Sequence, residues 1–121
     1  MLRDSNLKTR ETLERAREYI ADITSWQKGS IGVIGGSYCA MGAVGMAASG
    51  STSGWERSDA ALFLAAAISD VPYSQVPAAA AAVAYYNDMH DHACVLQMFD
   101  AAIERLVVPD KLPCHAEIPL A

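Results

Sequence analysis

The sequence predicts an all-α domain of about five helices, and three observations carry the prediction. Hydrophobic residues make up 52% of the chain, and most of that excess is alanine, the strongest helix former. Apolar positions recur three and four residues apart in several segments, the spacing of one helix face. Short clusters of Gly, Ser, Asp and Pro separate those segments, and such clusters stop helices and start turns. At 121 residues the chain has the length of a single domain, enough to bury a core without staples. The core is expected over about residues 10–106, followed by an irregular tail over 107–121.

The first helix is expected from Arg10 to about Ile23, with Thr9 or Asn6 as N-cap. Leu13, Ala16, Ile20 and Ile23 form its apolar stripe, and Glu11, Glu14, Arg15, Arg17 and Glu18 cover the other face. Glu11 with Arg15 and Glu14 with Arg17 are neighbours on that surface. Thr24 to Gly29 ends the helix, and Trp26 folds back onto the core as a lid. Ser30 to Ser37 reads as a loop with a short extended piece at Ile31–Ile34, a poor strand because glycines flank and interrupt it. The second helix runs from about Tyr38 to Ser49. Its small residues, Gly42 and Gly45 among them, mark a buried central helix that something approaches closely.

Gly50 to Gly54 is a flexible connection. The third helix follows, with Ser58 as its cap and Leu62, Phe63, Ala66 and Ile68 as its apolar residues, and Asp70-Val71-Pro72-Tyr73 breaks it. The fourth spans Pro77 to Tyr86, with proline in its first turn. Tyr86-Asn87-Asp88-Met89-His90-Asp91-His92 then reads as a turn that opens the fifth helix. Asp91 is the N-cap, and Val95, Leu96, Phe99, Ala102, Ile103 and Leu106 form one stripe. Pro109 stops that helix. The residues from Asp110 onward lack period and carry Pro113 and Pro119, an extended arm for packing on the body or on a partner.

A net charge of -5 and the lack of a basic stripe argue against nucleic-acid binding and against anionic membranes. The longest apolar runs are too short and too alanine-rich to span a bilayer. The N-terminus is polar and charged, unlike a signal peptide. Three cysteines, Cys39, Cys94 and Cys114, cannot all pair within one chain, so free thiols in a reducing cytoplasm are expected.

Two helix starts concentrate the residues capable of chemistry. Cys39 follows the turn Gly35-Gly36-Ser37-Tyr38, where a helix N-terminus would lower a thiol pKa. As a nucleophile it needs a base, for which His90 or His92 is available, and an orienting group, Asn87 or Asp88. The first N–H groups of the second helix would then hold an oxyanion. The simpler reading makes Cys39 a small buried hydrophobe with Gly42-Ala43 as packing. A metal site from His90, His92, Cys94 and Cys114-His115 matches no common zinc spacing, and no metal or cofactor is expected. Asn87-Asp88 fixes a turn through side-chain bonds to backbone, or lines a ligand pocket if Trp26, Tyr38 and Tyr86 converge on it. Asp100 caps or anchors another element, or pairs with Arg15 or Lys28. No dinucleotide fingerprint, P-loop or His-Glu-x-x-His motif is present.

Four anchors recur in order: Trp26 with Gly29; Tyr38-Cys39 with Gly42-Ala43; Tyr86-Asn87-Asp88; and Val95-Leu96 with Phe99-Asp100 and Ala102-Ile103. The set, over roughly residues 10–106, resembles an uncharacterised family of small actinobacterial and phage proteins. The chain departs from that family's frequent Thr-x-x-Glu box at the last helix, having Asp91 and Cys94 there. The resemblance implies no activity. With no complete catalytic signature, the sequence reads as a small cytoplasmic accessory protein acting through a protein partner or self-association. The alternatives are a cysteine-dependent hydrolase or transferase at Cys39 and a small-ligand-binding helical domain.

Overall fold

A computed structural model describes residues 4–70 and 72–106, which form five α-helices and two short 3-10 turns, with no strand among the described residues. The predicted tail, with Pro109, Cys114 and His115, lies outside the described residues. The helices are α1 (Asp4–Tyr19), α2 (Ala40–Ser49), α3 (Ala60–Ile68), α4 (Val76–Met89) and α5 (His92–Glu104). Helix α2 is the buried axis and packs on α1, α3 and α4, while α5 closes the other side against α1 and α3.

Helix α1 begins six residues earlier than expected, so Asn6 and Thr9 are helical rather than caps. It also ends four residues early. The Ile20 and Ala21 N–H groups turn to the Arg17 and Glu18 carbonyls at 3.2 and 3.3 Å, tightening the last turn. Asp22 then accepts the Thr24 N–H at 2.9 Å and starts the 3-10 turn Ile23–Ser25. Leu13, Ala16 and Ile20 are buried as expected, whereas Ile23 is exposed. The surface pair on α1 is Arg10 with Glu14, 3.2 Å apart.

In α2 all residues from Ala40 to Gly45 are buried. Gly42 and Gly45 admit backbone rather than another helix. A Cβ on Gly42 would lie 1.9 Å from the Ile31 carbonyl oxygen, and one on Gly45 would lie 2.4 Å from that of Ser51. The Ile31–Ile34 piece is no strand: Gly32 and Trp26 each make an isolated bridge with Tyr38, and Val33 begins a turn closed by Gly36 N–H to its carbonyl at 2.9 Å.

Helix α3 buries Ala60, Ala61, Leu64 and Ala65, not the predicted face; Leu62, Phe63 and Ile68 are half-buried and Ala66 is exposed. In an all-apolar segment hydrophobicity alone does not fix the rotation of the helix. Asp59 is its N-cap position, and Ser58 Oγ accepts the Ala60 N–H at 3.0 Å. Asp91 caps α5 through Cys94 N–H at 2.9 Å, and Val95, Phe99, Ala102 and Leu106 are buried together with Met98. Asp100 pairs with Arg17, not with Arg15 or Lys28, at 2.6 Å on the surface; Arg15 instead reaches the Ala47 carbonyl at 3.5 Å. A pair so exposed adds at most about 1 kcal/mol.

Candidate functional site

Helix α4 continues to Met89, so Asn87 and Asp88 stand in its last turn instead of in a loop. Asn87 is fully buried, and its amide is bonded on every side. Its Oδ1 accepts the Trp26 indole N–H at 2.7 Å and the Ala40 backbone N–H at 3.0 Å. Its Nδ2 donates to the Gln27 carbonyl at 3.0 Å and to Asp88 Oδ1 at 3.2 Å. Asp88 Oδ1 also accepts the Gly29 N–H at 2.8 Å. One asparagine thus ties the end of α4 to the start of α2 and to the connection after α1. The same connection pairs with the approach to α2, through Tyr38 N–H to the Ser25 carbonyl and Gln27 N–H to the Tyr38 carbonyl.

Cys39 occupies the N-cap of α2, with Sγ accepting the Gly42 N–H at 3.4 Å. The thiol is buried. Its pKa is raised rather than lowered. Burial dominates; the Gly42 and Met41 N–H groups oppose it, and the Asp88 charge adds to the rise. The expected helix-end activation is therefore reversed by desolvation.

The histidines are engaged elsewhere. His90 stacks on Tyr86 with ring centroids 3.8 Å apart, its Nδ1 3.0 Å from the Tyr86 carbonyl. His92 Nε2 lies 2.6 Å from the Ile20 carbonyl, its ring tilted against Trp26 at 5.4 Å. A hydrogen bond to a backbone carbonyl makes the facing ring nitrogen of each a donor and leaves the other nitrogen as the acceptor. Cys94 is bonded at its N–H to Asp91, whose carboxylate raises the thiol pKa. Among the described residues no group of three or more His, Cys, Asp and Glu is placed to hold a metal ion.

The three aromatic residues sit in different surroundings. Trp26 is half-buried against the core, with Lys28 Nζ 5.7 Å above its ring. Tyr38 is buried, edge-on to Tyr19 at 5.6 Å, and its hydroxyl accepts the Gly35 N–H at 2.8 Å. Tyr86 lies at the rim, where burial raises its pKa. A cleft of about 330 Å³ adjoins the hub. One wall is α4, with Ala80, Ala84 and Asp88; the other brings Cys39, Met41 and Trp55. Of the sequence candidates, Cys39 and Asp88 line it. Met41 and Trp55 are not marked by the sequence: a methionine in the first turn of an apolar helix and a tryptophan in a polar connection carry no local sign of a shared cleft.

These features define a small all-helical domain whose loops are locked by one buried amide beside an apolar cleft. The chain belongs to DUF6197, a family of unknown function, whose model matches residues 4–105. No curated protein and no solved structure matches the chain. No helix among the described residues is long and apolar enough to cross a membrane.

Proposed function

We propose that the protein acts as a small accessory module that binds another protein through the end of the bundle where α1 finishes and α2 begins. One observation carries this reading. Ile23, Val33, Ile34 and Met89 are 62, 67, 65 and 59% exposed, and all four sit on segments that meet at that end. The His92–Ile20, Trp26–Asn87 and Tyr38–Ser25 hydrogen bonds draw those segments together, and the Gly35–Tyr38 bond holds the 33–35 loop on Tyr38. Large apolar side chains gathered on a surface mark an interaction site more often than scattered ones do.

The charges around it favour a different chain over a second copy. Glu18, Asp22, Asp88 and Asp91 are exposed on the same segments against Lys28, and a two-fold interface would set that acidic rim against itself. A partner with an apolar centre and a basic rim is complementary. The free, unpaired Cys39 and Cys94 support a reducing compartment, the cytoplasm. The ordered anchors Trp26, Gly29, Cys39, Gly42, Asn87 and Asp88 all belong to the hub or its immediate supports, which favours placing the chain among the actinobacterial and phage proteins it resembles.

The test compares the wild type with a Val33→Asp, Ile34→Asp double variant, whose changes fall on an exposed loop tip. The expected result is a monomeric wild type that retains a protein from its source cells, with retention lost in the variant at unchanged melting temperature. A wild-type dimer dissolved by the variant would assign the end to self-association. Equal retention by both proteins overturns the reading.

A further inference from the structure

We infer that the cleft between α4 and the start of α2 is a binding site for a small organic cation, an ammonium carried on an apolar body of aromatic size. The inference does not rest on the protein-binding reading, although Asp88 borders both surfaces.

The shape comes first. Pro77, Ala80, Ala81, Ala84 and Asp88 line the cleft from α4, and their spacing of three or four residues places them along one helix face. From Pro77 to Asp88 that face runs about 16 Å at 1.5 Å per residue. Alanines leave it shallow and smooth, so the opposite wall sets the width. Ile31, Met41 and the Trp55 ring supply that wall. The volume of about 330 Å³ stands at the small end of ligand sites, which run from about 300 to 1,000 Å³. It takes a single ring with a short chain, not a nucleotide.

The charge comes second. Among the described residues Asp88 is the one charged residue lining the cleft. Its carboxylate is oriented before any ligand arrives, because the Gly29 N–H and Asn87 Nδ2 both bond to Oδ1. Among the described residues no Lys, Arg or His lines the cleft, and an anionic ligand there would face the Asp88 carboxylate. An apolar trough with one fixed carboxylate selects a cation with an apolar tail. The faces of Trp and the thioether of Met are both favourable neighbours for such a group. The ligand's ring is expected against Trp55 and the alanines, and its ammonium at Asp88.

Three probes of one shape and three charges test this: phenethylammonium, 2-phenylethanol and phenylacetate. Each is titrated into the full chain and followed by amide chemical shifts. The expected result is shifts at Gly29, Cys39, Ala80 and Ala84, with phenethylammonium bound about three- to fivefold more tightly than the alcohol, the range of an exposed ion pair, and phenylacetate weakest. Asp88→Asn keeps Oδ1 for the Gly29 N–H and removes the charge, so it should bring the ammonium to the level of the alcohol. Ala84→Leu should plug the trough and abolish the shifts from all three probes. Ala81→Phe, at an exposed position, does the same should Ala84→Leu fail to fold. Equal binding of ammonium and alcohol by the wild type overturns the assignment of a cation. Shifts that survive both plugs, or no shifts at millimolar probe, overturn the site.

Discussion

Replacing Asn87 by alanine should be among the most damaging single changes in the chain. The substitution removes an amide that makes four hydrogen bonds from a fully buried position. The cost lies less in the bonds themselves than in the partners they leave behind. The Ala40 N–H is buried at the start of α2, and a stranded buried donor costs about 1–3 kcal/mol. The Trp26 indole N–H and the Gln27 carbonyl belong to half-buried residues, so water recovers part of their loss, and about 1 kcal/mol each is reasonable. A small cavity adds to the total. The sum is about 4 kcal/mol, a large share of the about 5–15 kcal/mol that holds a domain together. At a urea m-value of about 2 kcal/mol per molar, the unfolding midpoint should fall by about 2 M. Urea titration followed by helix ellipticity and tryptophan emission measures this. Faster amide exchange at Ala40 and Gly29 should accompany it, since both N–H groups lose their anchor or its support. Trp26→Phe removes one donor and leaves Asn87 bonded to Ala40, so it should cost much less, and the double variant should fall short of the sum. A loss for Asn87→Ala below about 1 kcal/mol would refute the hub as the lock between α4 and α2.

Three further outcomes follow from the same geometry. Gly42→Ala gains helix propensity of about 1 kcal/mol, yet its Cβ would meet the Ile31 carbonyl oxygen at 1.9 Å; net destabilisation of about 1–3 kcal/mol is expected in a thermal melt, and a rise in melting temperature would disprove the close approach. Cys39, raised from its ordinary value of 9.0 chiefly by burial, favours the folded state below that value, and its contribution is lost as pH rises through the folded pKa. Stability should therefore decline in alkali more steeply in the wild type than in Cys39→Ser, and Cys39 should resist alkylation until the chain unfolds. Asp91, whose carboxyl is held below the ordinary range by the Cys94 N–H, contributes stability above the unfolded carboxylate pKa and loses it as pH falls through the folded one; Asp91→Asn keeps the cap acceptor and should flatten the acid limb of the melting curve.

The elements that sequence located well are those with chemistry at their boundaries. Asp91 caps α5, Gly50 ends α2 in the left-handed conformation at φ 77°, and Pro77 stands in the first turn of α4. Each is a local device that acts through its own neighbours, so spacing along the chain reveals it. The errors fall where the deciding partner is remote. Ile23 continues the apolar period of α1, but Asp22 turns the chain by bonding Thr24, and the period does not register a competing cap. In α3 nearly every residue is apolar, so the buried face is chosen by which neighbours arrive, and those come from α4 and α5.

The hub shows the same divide within one site. Asn-Asp after an apolar helix is a common turn pair, and from sequence the pair reads as a turn. Its bonds do go to backbone, but to residues 47 to 60 positions away: Ala40, Gln27 and Gly29. Having remote partners, Asn87 is free to stay helical. Cys39 illustrates the electrostatic counterpart. A helix N-terminus and burial act on a thiol in opposite directions, and sequence displays only the first. The second depends on how tightly the 29–31 segment and α4 close over the position, which is set by Gly42, Asn87 and Asp88 together. Cys39, Asn87 and Asp88 thus take part in assembling the fold. Around itself the hub positions an acidic, apolar-tipped end and a trough bordered by the oriented Asp88 carboxylate.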